Sequence, residues 1–391
     1  MMFLSKNFLS IFMIVILLLA TVSCQNETNE FAGTETVQQT QKESETPGMP
    51  NNEEITQPPP MQESPVEFKL NTYKLNDTSG FVKFLDERMQ ATSTGIYCDY
   101  TCAGIEFVAT CEGDITFKIQ TTGNCNFKAF VDGEHWKNGD SDYYAISSNS
   151  QEVTLKDIEK GTHSIRLIKV TNIIHGKSTL LTLTLTGEVS QTAPEKKELF
   201  IEFLGDSITS GWGLVGDKNG SWDSHDGSLA YPYLVADKLD ADYSIISWSG
   251  RSLVNGAGPT LENAYKYTNI LRDSETEHHF TRKSDIVVIN VGTNDRYQNV
   301  STTDFADAYE RLVKYVREKN GEDCIVLAIY NTMNDNYSKE IKAVMEKLGG
   351  VDNNLYAVKF KSTVSGHPTQ SENIGYTDVL YDLIEDILSW M

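Results

Sequence analysis

Positive charge is scarce in this chain of 391 residues, with 33 Lys and Arg against 55 Asp and Glu and a formal net charge of -22. That balance argues against a nucleic-acid partner or an anionic membrane surface, both of which need clustered basic residues. Proline is also thin: there are ten in all, and six of them fall within residues 25–65. Cysteine numbers only six, and the spacing of Cys98, Cys102, Cys111 and Cys125 forms no paired C-x-x-C units. The nearest histidine to that cluster is His135. A zinc site is therefore not expected, and disulfides or buried thiols are. The odd count after Cys24 leaves one thiol over, and Cys324, in the apolar run CIVLAIY, is the natural buried one.

A long membrane-spanning run is missing from the start as well. The apolar stretch at residues 8–19, after Lys6, falls short of the roughly 20 residues needed to span a bilayer and reads as an export signal. It closes in ATVSC, which resembles a bacterial lipoprotein signal with Cys24 as the lipidated first residue, although Thr21 stands where Leu is usual. Ordinary secretion, with Cys24 discarded, is the alternative. Residues 1–24 are thus expected to be a lipoprotein-type signal peptide and the protein to lie outside the cytoplasm, touching a membrane only through the anchor. Residues 25–65, rich in Glu, Gln, Thr, Asn and Pro with Phe31 as the only aromatic, cannot bury enough apolar surface to fold and are expected to be an acidic tether.

Two periodicities divide the rest. Over residues 66–192 the pattern alternates: DITFKIQ sets Ile115, Phe117 and Ile119 on one face, and STLLTLTLTG sets Leu181, Leu183 and Leu185 against Thr182, Thr184 and Thr186. NFKAFVDGE reads as a strand entering an Asp-Gly turn. Short strands with little sign of helix predict an antiparallel, jelly-roll-like β-sandwich. Over residues 198–391 the pattern becomes continuous apolar runs (LFIEFL, YSIIS, DIVVINVG, CIVLAIY, LYAVKF) separated by helical spacings. Phe305, Tyr309, Leu312 and Val316 share one helix face; Tyr376, Leu380, Leu383 and Ile387 share another, widened by Ile384. This is an α/β pattern with a parallel sheet covered on both faces, where ligands bind beyond the carboxyl ends of the strands.

The loops at those strand ends carry the chemistry. After LFIEFL comes Gly205-Asp206-Ser207, after YSIIS comes Trp248-Ser249-Gly250-Arg251, and after DIVVINV comes Gly292-Thr293-Asn294-Asp295. Shortly after LYAVKF comes Gly366-His367-Pro368. A serine hydroxyl needs a base to become a nucleophile, and an imidazole suits that task. The oxyanion that follows needs fixed donors: the backbone N–H groups of Ser207 and Gly250 and the amide of Asn294 are the candidates. Gly250 also presents no side chain to block an approaching substrate.

The blocks GDSI, SG, GTND and HP, in that order, resemble the SGNH or GDSL hydrolases. That resemblance implies a flavodoxin-like domain over residues 198–391, with Ser207 as nucleophile, Gly250 and Asn294 in the oxyanion hole and His367 as base. With the sandwich in front, and in DGSLAYPYLVADKLDADYSIISWSGRSL and VVINVGTND, the chain resembles carbohydrate esterase family 2. This implies deacetylation of plant-wall polysaccharides such as xylan and glucomannan, without metal or organic cofactor. One position departs: the Asp three residues before the catalytic His is here Val364. Some members of that family are similar in working with a Ser-His dyad, and the dyad is the expectation here, with Glu372 and Asp378 as displaced-carboxylate alternatives. A lipid or thioester hydrolase and a non-catalytic carbohydrate-binding protein are the alternative functions.

Gly211, Gly213 and Gly216, with Asp237 downstream, fit G-x-G-x-x-G, but the glycines follow the strand too late and open no helix, so they read as turns. Thr209 occupies the last-glycine position of G-x-S-x-G. Asp295 reads as a turn former, and His278-His279 as a solvated pair. Trp212, Trp248, Arg251 and Tyr297 flank the blocks and are candidates to line a sugar subsite, with core or rim packing as the other reading. No oligomeric state is implied.

Overall fold

Alternation does produce strands in the first half. A computed structural model describes residues 68–390 except 217–219, 256–257, 334–336 and 364–365. The leader, Cys24, the tether and Val364 lie outside the described residues. We label the main strands of the first half β1 (Leu70–Lys74), β2 (Gly104–Thr121), β3 (Cys125–Val131), β4 (Glu134–Trp136), β5 (Asn149–Lys169) and β6 (Ser178–Val189). They belong to a ten-stranded antiparallel sheet with the order β6-β2-β5-β3-β4, and β1 pairs with β6. Ile115, Phe117 and Ile119 are fully buried. The Asp-Gly turn lies between β3 and β4, with φ +53° at Asp132 and +85° at Gly133, the double positive φ that a tight hairpin requires.

The β6 face differs from the simple alternation. Leu180, not Leu181, joins Leu183 and Leu185 in the core. The cause is a register shift between Leu180 and Thr182, where an extra residue displaces the side chains preceding it to the other face. Similar shifts at Cys111–Ile115 interrupt the long β2–β5 ladder. All five described cysteines are buried free thiols, so this half is held by packing and not by disulfides.

Each of the five apolar runs in the second half is a strand: β7 (Phe200–Gly205), β8 (Asp242–Ser247), β9 (Ile286–Asn290), β10 (Ile325–Tyr330) and β11 (Leu355–Lys359). The sheet is parallel with the order β8-β7-β9-β10-β11, the 2-1-3-4-5 order of flavodoxin-like folds. Its helices are α1 (Tyr231–Lys238), α2 (Leu261–Lys266), α3 (Thr293–Tyr297), α4 (Thr302–Asn320), α5 (Ser338–Lys347) and α6 (Gln370–Trp390). α4 starts where the Ser301 hydroxyl accepts from the Asp304 N–H (3.0 Å) and buries Phe305, Tyr309, Leu312 and Val316. In α6 Tyr376, Leu380, Ile384 and Ile387 are buried, and Leu383 lies at the margin of the core.

Both halves belong to one compact unit, and a buried polar seam joins them. Asp99 of the first half accepts from Arg272 Nη2 (2.7 Å), Asn269 Nδ2 (2.7 Å) and the Ser178 N–H (2.9 Å), and pairs with Arg272 Nε at 2.5 Å. Arg88 pairs with Glu202 on β7 at 2.8 Å, and Lys128 with Asp226 at 2.7 Å. Removing one member of such a pair strands the other without water. Arg272→Ala is expected to cost about 3–5 kcal/mol of unfolding free energy. Urea denaturation measures it, and a loss under about 1 kcal/mol would mean that the pair is not a structural tie.

Candidate active site

β7 ends at a turn that leaves no room for a side chain at its last residue. A Cβ at Gly205 would stand 2.1 Å from Thr209 Oγ1. The turn closes through the Ser210 N–H to the Asp206 carbonyl and the Trp212 N–H to the Ser207 carbonyl, both 3.0 Å. Ser207 is thereby fixed at the carboxyl end of β7, beside the point where the strand order reverses. His367 comes from the segment between β11 and α6, and its Nε2 lies 2.7 Å from Ser207 Oγ. A serine hydroxyl and an imidazole from distant segments are within hydrogen-bond distance.

Gly250 follows β8 with φ +80°, is exposed, and a Cβ there would meet nothing within 4 Å. Its glycine is required by the backbone conformation, and its face is open to a substrate. Asn294 sits in the first turn of α3, and its Nδ2 donates to the Arg251 carbonyl (2.7 Å) and to Asp206 Oδ2 (3.1 Å). The amide is therefore held between the nucleophile turn and the Gly250 loop.

Two carboxylates support this frame, and neither was prominent in the sequence. Asp295 is fully buried, and its oxygens accept from the Leu253 N–H (2.9 and 3.0 Å) and the Val254 N–H (2.8 Å). It anchors the loop that follows Gly250, so the turn-former reading was too slight; burial raises its pKa. Asp206 is also buried and accepts from the Ile208 N–H at 3.0 Å. Burial pushes its carboxyl up to about 7, against the hydrogen bonds from Ile208 and Asn294.

The flanking residues divide. Trp212 is half-buried and stacks on the His367 ring, with centroids 5.3 Å apart and planes 25° apart. Its ring also meets the buried His225 edge-on at 4.7 Å. Burial and the neighbouring His175 push His225 down to about 3, so it is neutral at working pH. Trp248 and Arg251 are taken up by packing: both are buried, the guanidinium lies 4.7 Å from the Trp248 ring, and Trp248 also packs on Tyr100. Tyr297 is exposed. The histidine pair is not uniformly solvated: His279 is exposed, but His278 is half-buried against the Phe280 ring. Gly211, Gly213 and Gly216 all have positive φ in turns, and the next α-helix begins only at Tyr231. No group of three or more metal-ligating side chains occurs among the described residues.

Residues 203–360 match the model of the GDSL-like lipase/acylhydrolase family, a span that contains Ser207, Gly250 and Asn294 and stops short of His367. Over that span, less than half of its length, the chain is similar to the GDSL-type hydrolases. Its relatives include the cellulase/esterase CelE of Acetivibrio thermocellus, 29% identical over 302 residues, 72% of this chain but 35% of CelE. The chain thus spans about a third of that relative. An acetylxylan esterase/glucomannan deacetylase of Cellvibrio japonicus is 26% identical over 250 residues, 59% of this chain and 68% of that protein. In fold it is similar to a family two carbohydrate esterase from Clostridium thermocellum solved with cellohexaose, with TM-score 0.71 and 23% identity over 79% of this chain and 100% of that one. A family two carbohydrate esterase from Cellvibrio japonicus gives TM-score 0.72 and 19% identity over 82% and 99%.

The Asp206 carboxyl gives the protein a pH signature. Its pKa is raised to about 7 in the fold, against about 3.9 in an unfolded chain, so its contribution to stability is full below about pH 4 and is lost as pH rises through about 7. Asp206→Asn cannot titrate. Between pH 4 and pH 8 the variant should lose less unfolding free energy than the wild type, as read from urea midpoints at the two pH values. Equal losses in the two proteins would remove Asp206 from the account.

Proposed function

We propose that the chain is an exported carboxylic ester hydrolase that removes O-acetyl groups from acetylated polysaccharides or oligosaccharides of the xylan and glucomannan type. The observation that carries the reading is the 2.7 Å contact between His367 Nε2 and Ser207 Oγ at the mouth of the parallel sheet. The substrate class follows the relatives named as acetylxylan esterases and glucomannan deacetylases. Export follows the leader and, with it, lipid attachment at Cys24.

In this mechanism Ser207 Oγ attacks the acetyl carbonyl carbon while His367 takes the hydroxyl proton. The carbonyl oxygen becomes an oxyanion that accepts from the N–H groups of Ser207 and Gly250 and from the Asn294 amide. Collapse breaks the bond to the sugar oxygen, which takes the proton from His367 and leaves as an alcohol. Water, deprotonated by the same imidazole, then attacks the acetyl-enzyme and releases acetate.

Beside the Ser-His dyad, the two alternative carboxylates have further partners. Asp378 pairs with Lys238 at 3.2 Å. Glu372 accepts from the Thr369 N–H (2.7 Å) and hydroxyl (2.9 Å) at the start of α6. The Trp212 face stacked on His367 restricts the imidazole plane. Loss of the acid costs a serine protease about 10⁴ in turnover. An ester tolerates that loss better than an amide does, because an alkoxide leaves more readily than an amine anion.

The test compares an aryl acetate with an aryl octanoate. Acetate turnover should dominate and fall by at least about a thousandfold in Ser207→Ala and in His367→Ala. Octanoate turnover equal to or above acetate undoes the acetyl assignment. Turnover that survives Ser207→Ala undoes the nucleophile.

A further inference from the structure

We propose that Asn172, contributed by the sandwich half, is a positioning residue that sets the nucleophile turn and the Gly250 loop at a fixed separation. The inference rests on the esterase reading of Ser207 and Gly250. Asn172 lies between β5 and β6 and is fully buried. Its Nδ2 donates to Ser210 Oγ (2.7 Å), three residues after Ser207, and to Ser249 Oγ (3.1 Å), immediately before Gly250. One primary amide has two N–H donors, and here each goes to a different catalytic loop.

The remaining atoms give this bridge a direction. Ser210 Oγ donates onward to the Ser207 carbonyl at 3.3 Å, so it accepts from Asn172 and passes the bond to the nucleophile's own backbone. Asn172 Oδ1 accepts from the Ile174 N–H at 3.2 Å, which fixes the amide flip: oxygen toward its own loop, nitrogen toward the site.

The segment carrying Asn172 is itself held tightly. Lys169 Nζ donates to the Thr171 (2.5 Å) and Asp99 (2.9 Å) carbonyls, and Thr171 Oγ1 accepts from the Asn126 N–H at 2.6 Å. The Val170 carbonyl accepts from the Gly227 N–H of the second half at 2.9 Å. A short polar side chain on a rigid, buried segment transmits position and not merely contact. The distance from Ser207 to the Gly250 N–H matters most once the oxyanion has formed, so an error in it costs turnover more than binding.

The experiment is steady-state kinetics of the full chain on an aryl acetate, which has no sugar to reach the sandwich surface. Asn172→Ala is expected to lower kcat by about 10- to 100-fold while KM stays within about twofold and near-ultraviolet circular dichroism stays native. Asn172→Asp keeps the volume but removes both donors, so it should not rescue kcat. A merely structural residue would lower the active fraction without this split, and active-site titration with an organophosphonate separates the two cases. If Asn172→Ala does not fold, Ser210→Ala and Ser249→Ala each remove one end of the bridge and should show the same split. Wild-type kcat per titrated site in Asn172→Ala, or in both serine variants, overturns the proposal. Wild type and Ser207→Ala run alongside: an inactive wild type sinks the esterase reading and this one with it. An active wild type, a dead Ser207→Ala and an unaffected Asn172→Ala sink this one alone.

Discussion

The buried carboxylate of Asp99 is the constraint on which the arrangement of the two halves depends. Withdrawn from water, it is tolerable only while Arg272, Asn269 and the Ser178 N–H surround it. Ser178 begins β6, and the Asp99 carbonyl also receives Lys169 Nζ at the end of β5. The same residue thus locks the two ends of the segment that bears Asn172 and docks it against the parallel-sheet half. Lys128–Asp226 extends the lock to the loop carrying His225, whose ring supports Trp212, whose ring in turn covers His367. Placement of His367 and of the Ser207 turn is therefore coupled to the antiparallel half, which contributes neither residue.

This coupling explains why the sequence was readable in some places and not in others. The five continuous apolar runs were legible because a strand buried on both faces admits little else, and all five are strands of the parallel sheet. The meeting of Ser207 and His367 was legible because each lies beyond such a run, at the sheet end where ligands gather. The bulge that brings Leu180 rather than Leu181 into the core was not, because alternation carries no mark of an extra residue. Asn172 had no signal either: a lone asparagine after a strand looks like any turn residue until its partners are seen. Asp295 did have one, since an acid beside the Asn of a strand-end block invites the question of which backbone it holds.

Trp248 and Arg251 show the converse failure. Proximity in sequence to Gly250 suggested a subsite, but consecutive residues at a strand end point in different directions. Gly250 faces open space, whereas its neighbours pack on each other and on Tyr100 of the sandwich. The aromatic residue that does lie against His367, Trp212, was distinguishable from Trp248 only by where the turn after Ser207 carries it.

On the proposed mechanism, Asn294 raises a question of energetics. Its amide already donates to the Arg251 carbonyl and to Asp206. A neutral ester carbonyl is no stronger an acceptor than the Arg251 carbonyl, so ground-state binding has little reason to draw the amide away. An oxyanion is a charged acceptor, and hydrogen bonds to charged groups are roughly twice as strong as neutral ones. The competition therefore turns in favour of the substrate only as charge develops, which is the condition for an interaction to raise turnover and not merely affinity. The Arg251 carbonyl and Asp206 hold the amide beside the site until then, and the oxyanion gains its donor at the expense of one of those two bonds.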